Sequence, residues 1–280
     1  MKRSLGYLGP AGTFTEEAAL RYSRNRSLLL KPYPSIPEVM GAVESGEVNE
    51  GIVPVENSLE GTVTLTLDLF SGESPLQIKG ELCLGISHLL AAPPGQKLSD
   101  IKEVHSHPQA LAQCRRFLKS ALPAAVPISA PSTAAAAKLV STKRGASAAI
   151  ASRHAASFYG LEVLKDEIQD HEPGGNMTRF LILALTDSPP TGDDKSSLIT
   201  GLEDRPGSLH AALGIFARYQ INMTKIESRP IRGQLGKFLF FIDIQGHRQD
   251  KHIARALKEL RAESLFVKLL GSYPRTKIFE

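Results

Sequence analysis

Short apolar segments that favour strands alternate with helical patterns up to about residue 186, and most of these strands run into small polar residues that open the next helix. The predicted strands are Ser4–Leu8, Gly51–Val55, Ala125–Ile128, Ala148–Ile150 and Arg179–Leu185. The predicted helices are Thr15–Tyr22, Thr62–Phe70, Pro108–Ala121, Ser132–Val140 and Ser152–Tyr159. This alternation predicts an α/β fold with a mainly parallel sheet, and the number of elements suits two α/β lobes around a cleft.

A polar segment with two consecutive prolines, Thr186–Lys195, separates this region from one with a different order of elements. We therefore predict a first domain over residues 1–186, a linker over residues 187–195 and a second domain over residues 196–280. The predicted elements of the second domain are, in order, Ser197–Leu202, Pro206–Tyr219, Asn222–Arg229, Lys237–Ile244, Gln249–Arg261 and Ser264–Leu270. A turn at Arg232–Gln234 joins its two middle strands. The order is that of a ferredoxin-like βαββαβ domain.

The composition narrows the class of protein. No apolar run reaches the roughly 18 residues that a spanning helix needs, and the N-terminus has no signal-peptide pattern. We therefore expect a cytoplasmic protein in which Cys83 and Cys114 are not part of a disulfide framework. A formal net charge of only +4 and the absence of tryptophan argue against nucleic-acid binding and suit a small anionic substrate. The sequence contains no metal-ligand spacing, Walker loop or nucleophile elbow, so we expect neither a metal nor a cofactor.

Polar turns at the ends of the predicted strands are where we expect the chemistry. They are Gly9–Glu16, Pro54–Thr62, Ser106–Pro108 and Pro131–Thr133. Helix N-termini carry unpaired N–H groups and partial positive charge, so several that face one cleft would bind an anion such as a carboxylate. Each turn taken alone is more simply an ordinary helix cap. Glu56–Ser58 differs, because three polar side chains follow an apolar strand without an evident structural need.

The segment Asn176–Phe180 places a threonine and an arginine at the mouth of an apolar strand. Arginine can hold a carboxylate through two parallel hydrogen bonds. We therefore predict that Arg179 is a carboxylate clamp, and the alternative is an arginine in a surface ion pair.

Together these motifs resemble those of the prephenate dehydratases. The matching stretches are GPAGTFTEEA (9–18), VPVENSLEGTV (53–63), HSHPQALAQC (105–114), the Ser132-Thr133-Ala134 turn and NMTRFLIL (176–183). The stretch GSLHAALGIFARYQINMTKIESRP (207–230) resembles the ACT domain of the same enzymes. The resemblance implies a two-lobed catalytic region similar in fold to type II periplasmic binding proteins, followed by a ferredoxin-like ACT regulatory domain, in the monofunctional form of the enzyme.

The resemblance also implies an activity. It is the decarboxylating dehydration of prephenate to phenylpyruvate, CO2 and water in L-phenylalanine biosynthesis, without a cofactor and with feedback inhibition by L-phenylalanine. A homodimer or a dimer-of-dimers tetramer is implied as well. Two other interpretations stay open: an arogenate dehydratase, which performs the same chemistry on an amino-acid side chain, and a non-catalytic small-anion binding protein. The ACT-like region has a purely structural dimerisation module as its alternative.

The same resemblance assigns roles to residues. The catalytic residues are Glu56, Asn57, Ser58, Thr178 and Arg179. The substrate-binding residues are Pro10, Thr13, Thr62, His107, Ser132, Thr133 and Phe180, with Phe180 expected mostly in the core. The allosteric L-phenylalanine site comprises Gly207, Ser208, Leu209, Asn222, Glu227, Ser228 and Arg229, with Asn222 contributed by a neighbouring subunit.

The proton donor is the open question of this mechanism. We expect Thr178 to donate a hydrogen bond to the departing hydroxyl, and Glu56 and His107 are the rival donors. Arg179 is expected to hold the pyruvyl carboxylate, because strong ground-state binding of the carboxylate that leaves would oppose catalysis.

Overall fold

The computed structural model describes residues 3–143, 145–172, 174–231 and 234–276, and residues 234–236 through their backbone only. Its strands are β1 (Ser4–Leu8), β2 (Leu29–Tyr33), β3 (Glu50–Asn57), β4 (Gly61–Thr62), β5 (Gln77–Gly85), β6 (Leu89–Ala92), β7 (Glu103–Ser106), β8 (Val126–Ser129), β9 (Ser147–Ala151), β10 (Glu162–Lys165), β11 (Met177–Ala184), β12 (Asp194–Gly201), β13 (Met223–Ile231), β14 (Gln234–Gln245) and β15 (Phe266–Pro274). Its α-helices are α1 (Phe14–Ser23), α2 (Ile36–Glu44), α3 (Thr64–Ser71), α4 (Pro108–Gln113), α5 (Arg115–Ala121), α6 (Thr133–Thr142), α7 (Arg153–Phe158), α8 (Ser208–Arg218) and α9 (Lys251–Glu263). In the turn predicted at Arg232–Gln234, Arg232 and Gly233 lie outside the described residues.

The described residues form two compact units, each assembled from segments that are distant in sequence. Unit 1 draws on Met1–Val39, Ile52–Val63 and Cys83–Phe180. Unit 2 draws on Met40–Gly51, Thr64–Leu82 and Leu181–Glu280. This division into compact units is separate from the predicted sequence domains, residues 1–186 and 196–280, which remain a prediction. No described helix has the length and apolar character needed to cross a membrane.

Three sheets carry the fold. The first has the strand order β2-β1-β3-β11-β5, with β4 paired to β3. The second, β10-β6-β9-β7-β8, lies in unit 1, and the third, β13-β14-β12-β15, lies in unit 2. The predicted α/β class and the βαββαβ order of the C-terminal region are confirmed. The second sheet is mixed rather than mainly parallel, because β6 pairs antiparallel with both β9 and β10.

Small side chains fill much of the core beside the second sheet. Ala136 and Ala137 of α6 are buried in one cluster with Ala149 and Ala151 of β9. The alanine-rich helix therefore packs against its sheet through small side chains. The core of the third sheet is built from larger side chains, which include Leu198, Ile242 and Ile244 of the sheet and Phe216, Leu257 and Leu260 of α8 and α9.

The helix predicted over Pro108–Ala121 is wrong in one respect, because it breaks at Cys114 into α4 and α5. Asp170 causes the break: its carboxylate accepts from the Arg116 N–H at 3.1 Å, and its own N–H donates to Gln113 O at 2.6 Å. A side chain from outside the helix thus caps the start of α5. Burial raises the pKa of the Cys114 thiol to about 12, which fits a packed thiol.

Candidate active site

Four helices of unit 1 begin with a side-chain cap directly after a strand or the short turn that follows it. The capping residues are Thr13 for α1, His107 for α4, Ser132 for α6 and Ser152 for α7. Each side chain accepts from a backbone N–H of the first turn at a distance between 2.9 and 3.3 Å. The turns predicted to open helices at Thr13, His107 and Ser132 therefore do so, with the side chains satisfying part of the helix end.

The turn before α1 lies beside the starts of α6 and α7. At Gly12, whose φ is +88°, an added Cβ would lie 2.9 Å from Tyr159 Cε2 and 3.5 Å from Ala134 Cβ. Both the backbone angle and the space at this position therefore require glycine. Because Ala134 follows Thr133 at the start of α6, the contact brings the Thr13 turn and the Thr133 turn to one place.

Asn57, the last residue of β3, sets the hydrogen bonding around Thr178. Its Oδ1 accepts from the backbone N–H groups of Leu59 at 2.9 Å and of Glu60 at 3.0 Å. Backbone N–H groups can only donate, so they fix the orientation of the amide. Its Nδ2 then donates to Thr178 Oγ1 at 2.9 Å and to Asn176 Oδ1 at 2.7 Å. Thr178 is the acceptor in this bond, which leaves its hydroxyl proton to be donated to another group.

The network continues from Asn176 to the end of α4. Asn176 is only 1% exposed and donates from Nδ2 to Gln113 Oε1 at 3.1 Å. Gln113 Oε1 also lies 3.0 Å from His88 Nε2, and Gln113 Nε2 donates to Glu60 Oε1 at 3.0 Å. Because Gln113 Oε1 accepts, His88 carries a proton on Nε2. Burial lowers the pKa of His88, so the ring is neutral near pH 7 and most of the network consists of uncharged side chains.

Arg179 follows Thr178 on β11 and pairs with a second predicted residue. Its Nη1 lies 3.5 Å from Glu56 Oε2, and the two side chains are 13% and 39% exposed, respectively. Arg179 thus forms an ion pair, as in the alternative interpretation, but its own side chain is largely buried. The guanidinium carries five N–H donors, so it can bind a second carboxylate beside Glu56.

Ser58 and Thr62 shape the backbone around this cluster. The Ser58 hydroxyl donates to Gly175 O at 3.0 Å and accepts from the Met177 N–H at 2.9 Å. It therefore fixes the segment that leads into β11. Thr62 of β4 pairs in register with Glu56 of β3.

Phe180 and Pro10 differ in exposure. Phe180 is 1% exposed, in agreement with its expected core position. Pro10 is exposed in the turn that follows β1.

The second predicted site lies in unit 2, at the start of α8. Gly207 precedes the helix with a φ of +85°, a left-handed conformation that favours glycine. Leu209 is partly buried, and the Ser208 hydroxyl is buried without a hydrogen-bond partner among the described residues. A buried hydroxyl without a partner is costly unless a ligand or water satisfies it.

The other residues assigned to this site lie at the start of β13 and along it. Asn222 is exposed and its carbonyl oxygen accepts from the Gln245 N–H at 2.9 Å. Glu227 Oε2 pairs with Lys225 Nζ at 3.1 Å.

Further along β13, Ser228 is exposed, and Arg229 Nη2 donates to Asp68 Oδ1 at 2.6 Å. Asp68 belongs to α3, so a residue of the predicted effector site is tied to a helix from the first half of the chain.

Two known protein families match successive regions of this chain. A prephenate dehydratase family model matches residues 5–188, and an ACT domain model matches residues 196–262. The chain belongs to the prephenate dehydratase family. Membership confirms the predicted enzyme class, a carbon–oxygen lyase, and the predicted reaction from prephenate to phenylpyruvate. It also identifies an ACT domain in the C-terminal region.

Relatives in this family cover most of the chain. The bifunctional chorismate mutase/prephenate dehydratase of Aquifex aeolicus is 42% identical over 100% of this chain and 75% of the relative. The prephenate dehydratase of Mycolicibacterium vanbaalenii is 39% identical over 96% of this chain and 90% of the relative. The crystal structure of prephenate dehydratase from Arthrobacter aurescens in complex with L-Phe is 37% identical, with a TM-score of 0.88 over 97% of this chain and 90% of that one.

Sequence analysis assigned no role to four members of the network, Glu60, Gln113, Asn176 and His88. Gln113 and Asn176 lie inside stretches that resemble the family, and a polar amide among apolar neighbours was the available signal. His88 lies outside those stretches and carries no local signal. Its part in the network follows only from its contact with Gln113.

Proposed function

We propose that Thr178 assists the reaction of this prephenate dehydratase by donating a hydrogen bond to the hydroxyl that leaves the ring. The observation that supports this role is the bond from Asn57 Nδ2 to Thr178 Oγ1, which makes the threonine oxygen an acceptor and directs its proton elsewhere. A donor that is oriented before the substrate arrives needs no reorganisation in the transition state.

The reaction needs such a donor because hydroxide is a poor leaving group. The bond from the ring to the carboxylate breaks, its electron pair completes the aromatic ring, and the carboxylate departs as CO2. The ring C–O bond breaks with its electrons on oxygen, and this oxygen becomes water when it gains a proton. Negative charge therefore grows on the leaving oxygen in the transition state, where a hydrogen bond from Thr178 stabilises it most.

Arg179 in this proposal holds the pyruvyl carboxylate of prephenate. The side chain is largely buried beside Thr178 and next to Glu56. A guanidinium can bind a carboxylate through two parallel hydrogen bonds. Glu56 opposes the charge of Arg179 and holds its orientation before the substrate binds.

The rival donors have less favourable surroundings. His107 Nδ1 accepts from the Gln109 N–H at 3.3 Å as the cap of α4, so one of its nitrogens is committed to the helix. Glu56 has a 39% exposed side chain beside an arginine, whereas a carboxyl group that acts as an acid near neutral pH needs a desolvated site. Both remain alternatives that substitution can test.

The starts of α1 and α6 complete the proposed substrate site. Gly12 and Ala134 approach each other at the ends of these two helices. Thr13, Ser132 and Thr133 therefore lie near one another, where first-turn N–H groups favour an anion. Pro10, Ser58, Thr62 and Phe180 would shape the surroundings of this anion.

The ACT domain is proposed to bind L-phenylalanine and to inhibit the enzyme. The relative from Arthrobacter aurescens was solved with L-Phe, and the buried Ser208 hydroxyl at the start of α8 has no partner among the described residues. Inhibition requires that the effector bind the less active arrangement of the protein more tightly. A homodimer or a dimer of dimers, with Asn222 completing the site of its neighbour, is part of this proposal.

We also propose that the sequence divides into a catalytic domain at residues 1–186 and a regulatory domain at residues 196–280. The two matching family models, over residues 5–188 and 196–262, support this division. A cytoplasmic location is proposed as well, since Cys83 and Cys114 form no disulfide among the described residues, as is usual in a reducing compartment.

One assay tests the activity and the regulation together. The purified protein is incubated with prephenate, and phenylpyruvate is followed with and without L-phenylalanine. Product formation that L-phenylalanine suppresses supports both proposals, and formation without suppression contradicts the effector site. Phenylalanine formed from arogenate, with no product from prephenate, would change the substrate and keep the chemistry.

A further inference from the structure

The Ala11–Gly12 peptide, in the turn before α1, is held at both of its polar atoms by side chains. Its carbonyl, Ala11 O, accepts from the Tyr159 hydroxyl at 2.7 Å. Its N–H, on Gly12, donates to Glu16 Oε2 at 2.6 Å. A peptide group that is bonded on both sides cannot rotate without breaking one of the bonds.

Glu16 is itself fixed by two more donors. Its Oε1 accepts from the Tyr7 hydroxyl at 2.7 Å, and its Oε2 lies 2.8 Å from His154 Nε2. The Glu16 side chain is 12% exposed and that of His154 is 25% exposed. Burial alone would raise the pKa of Glu16, but the bonds from Gly12, His154 and Tyr7 outweigh it and lower this pKa. The carboxylate is therefore ionised at neutral pH and accepts all three bonds.

These contacts do more than cap the start of α1. Thr13 already caps α1 through the Glu16 N–H, so the cap does not need the bond from Gly12 to the Glu16 side chain. His154 lies on α7 and Tyr159 directly after it, beside the second sheet, whereas the peptide they hold follows β1 of the first sheet. The pair therefore ties the turn that follows β1 to the end of α7.

We propose that Glu16, His154 and Tyr159 are positioning residues that set the orientation of the Ala11–Gly12 peptide, and with it the first turn of α1, for a carboxylate of the substrate. This inference rests on the proposed role of Thr13 and its turn in substrate binding. Among the described residues, none of the three is hydrogen-bonded to a member of the network around Thr178. Their removal should therefore weaken substrate binding more than it slows the chemical step.

Steady-state kinetics with prephenate test the proposal through matched variants. Tyr159→Phe removes the hydroxyl and keeps the ring that packs on Gly12. His154→Leu removes the donor to Glu16, and His154→Gln keeps an N–H close to the position of Nε2. Tyr159→Phe and His154→Leu should each raise KM by roughly three- to tenfold, the effect of one hydrogen bond, with a smaller change in kcat. His154→Gln should restore most of the wild-type KM.

Two outcomes would overturn the positioning role. One is a KM within about twofold of wild type in the Tyr159→Phe and His154→Leu double variant. The other is a loss of kcat that follows a fall in melting temperature, with KM unchanged, because that pattern indicates a structural role.

The amide resonance of Gly12 gives a readout that does not depend on turnover. In 15N-labelled protein this resonance should shift strongly on Glu16→Gln, because the acceptor loses its charge, and should also shift on His154→Leu. An unmoved Gly12 resonance would overturn the proposed clamp whatever the activity. If the wild type does not convert prephenate while Gly12 responds as expected, the clamp is supported and the substrate assignment fails.

Discussion

In unit 1, Thr178 accepts a hydrogen bond from the neutral side-chain amide of Asn57, whereas in unit 2, Arg229 forms a charged pair with Asp68. The surrounding contacts differ in a similar way, apart from the charged Arg179–Glu56 pair beside Thr178. Thr178 belongs to a network of uncharged amides, a hydroxyl and a neutral imidazole that ends at Glu60. In unit 2, Lys195 and Glu81 form a buried ion pair, and Lys268 Nζ donates to the carbonyls of Phe70, Gly72 and Ser74.

The two kinds of contact have different uses. Neutral hydrogen bonds contribute little net stability each, but they define which atom donates and which accepts. The attraction within a buried charged pair is largely offset by desolvation of the two charges, but the loss of one partner is costly. We infer that neutral bonds orient Thr178 in unit 1, beside the charged Arg179–Glu56 pair. In unit 2 we infer a reliance on charged contacts that are costly to break, one of which, Arg229–Asp68, includes a residue of the proposed effector site.

The largest expected effect is on stability, at the buried Lys195–Glu81 ion pair of unit 2. Lys195 Nζ lies 2.9 Å from both Glu81 oxygens, and the two side chains are 6% and 1% exposed. Lys195→Met should lower the free energy of unfolding by about 3–5 kcal/mol, because it removes the positive charge that faces the buried Glu81 carboxylate. The measurement is urea denaturation. The double variant Lys195→Met with Glu81→Met should recover most of the loss, and a single variant within about 1 kcal/mol of wild type would contradict the prediction.

The next largest effect is on catalysis, at Thr178. Thr178→Val keeps the branched shape and removes the hydroxyl, so kcat should fall by about 100- to 1000-fold, the usual loss for one donor to a developing charge. Thr178→Ser keeps the hydroxyl and is the control. The free energy of unfolding should change little in either variant. A kcat close to wild type in Thr178→Val would transfer the donor role to Glu56 or His107.

The orientation of Thr178 is tested separately at Asn57. Asn57→Asp keeps an acceptor for the N–H groups of Leu59 and Glu60 and removes the donor to Thr178. The threonine proton would then turn towards the new carboxylate, so kcat should fall by roughly 10- to 100-fold, as expected for an interaction of this size. Unchanged kcat in Asn57→Asp would show that the amide donor does not direct the Thr178 proton.

A smaller effect is expected in regulation, at Asp68. The Arg229–Asp68 pair is partly exposed, with both side chains about a quarter exposed, so its contribution is modest. Asp68→Asn should change the concentration of L-phenylalanine that gives half inhibition by roughly two- to fivefold, with little effect on the uninhibited rate. Glu259→Gln, which removes the exposed partner of Arg218 in the same domain, is the matched control and should change neither quantity.

The smallest effect is a dependence on pH at Glu16. Its pKa is lowered from the ordinary value of 4.5 in the folded protein, so its ionised form stabilises the fold above that pH. The contribution is lost as the pH falls below 4.5 and through the folded pKa. The difference in unfolding free energy between wild type and Glu16→Gln should therefore be constant near neutrality and shrink once the pH falls below 4.5. A difference in unfolding free energy that grows on acidification would contradict the prediction.

Local patterns in the sequence were sufficient to predict much of the fold. β1 has the predicted bounds, and the order of elements in the C-terminal region is as predicted. Helix starts at Thr13 and Ser132 were predictable because a cap depends on residues within one turn. The break at Cys114 was not predictable, because Asp170 causes it from more than fifty positions away.

The sequence by itself determined the α/β class, the ferredoxin-like C-terminal region and the family, because periodicity and motifs are local properties of the chain. Tertiary structure alone decided the working geometry of the site. Asn57 and Thr178 are 121 positions apart, and Glu16 and His154 are 138 apart. Which atom of an amide donates, and which side chain holds a given peptide, depends on groups that only folding brings within about 3 Å of each other.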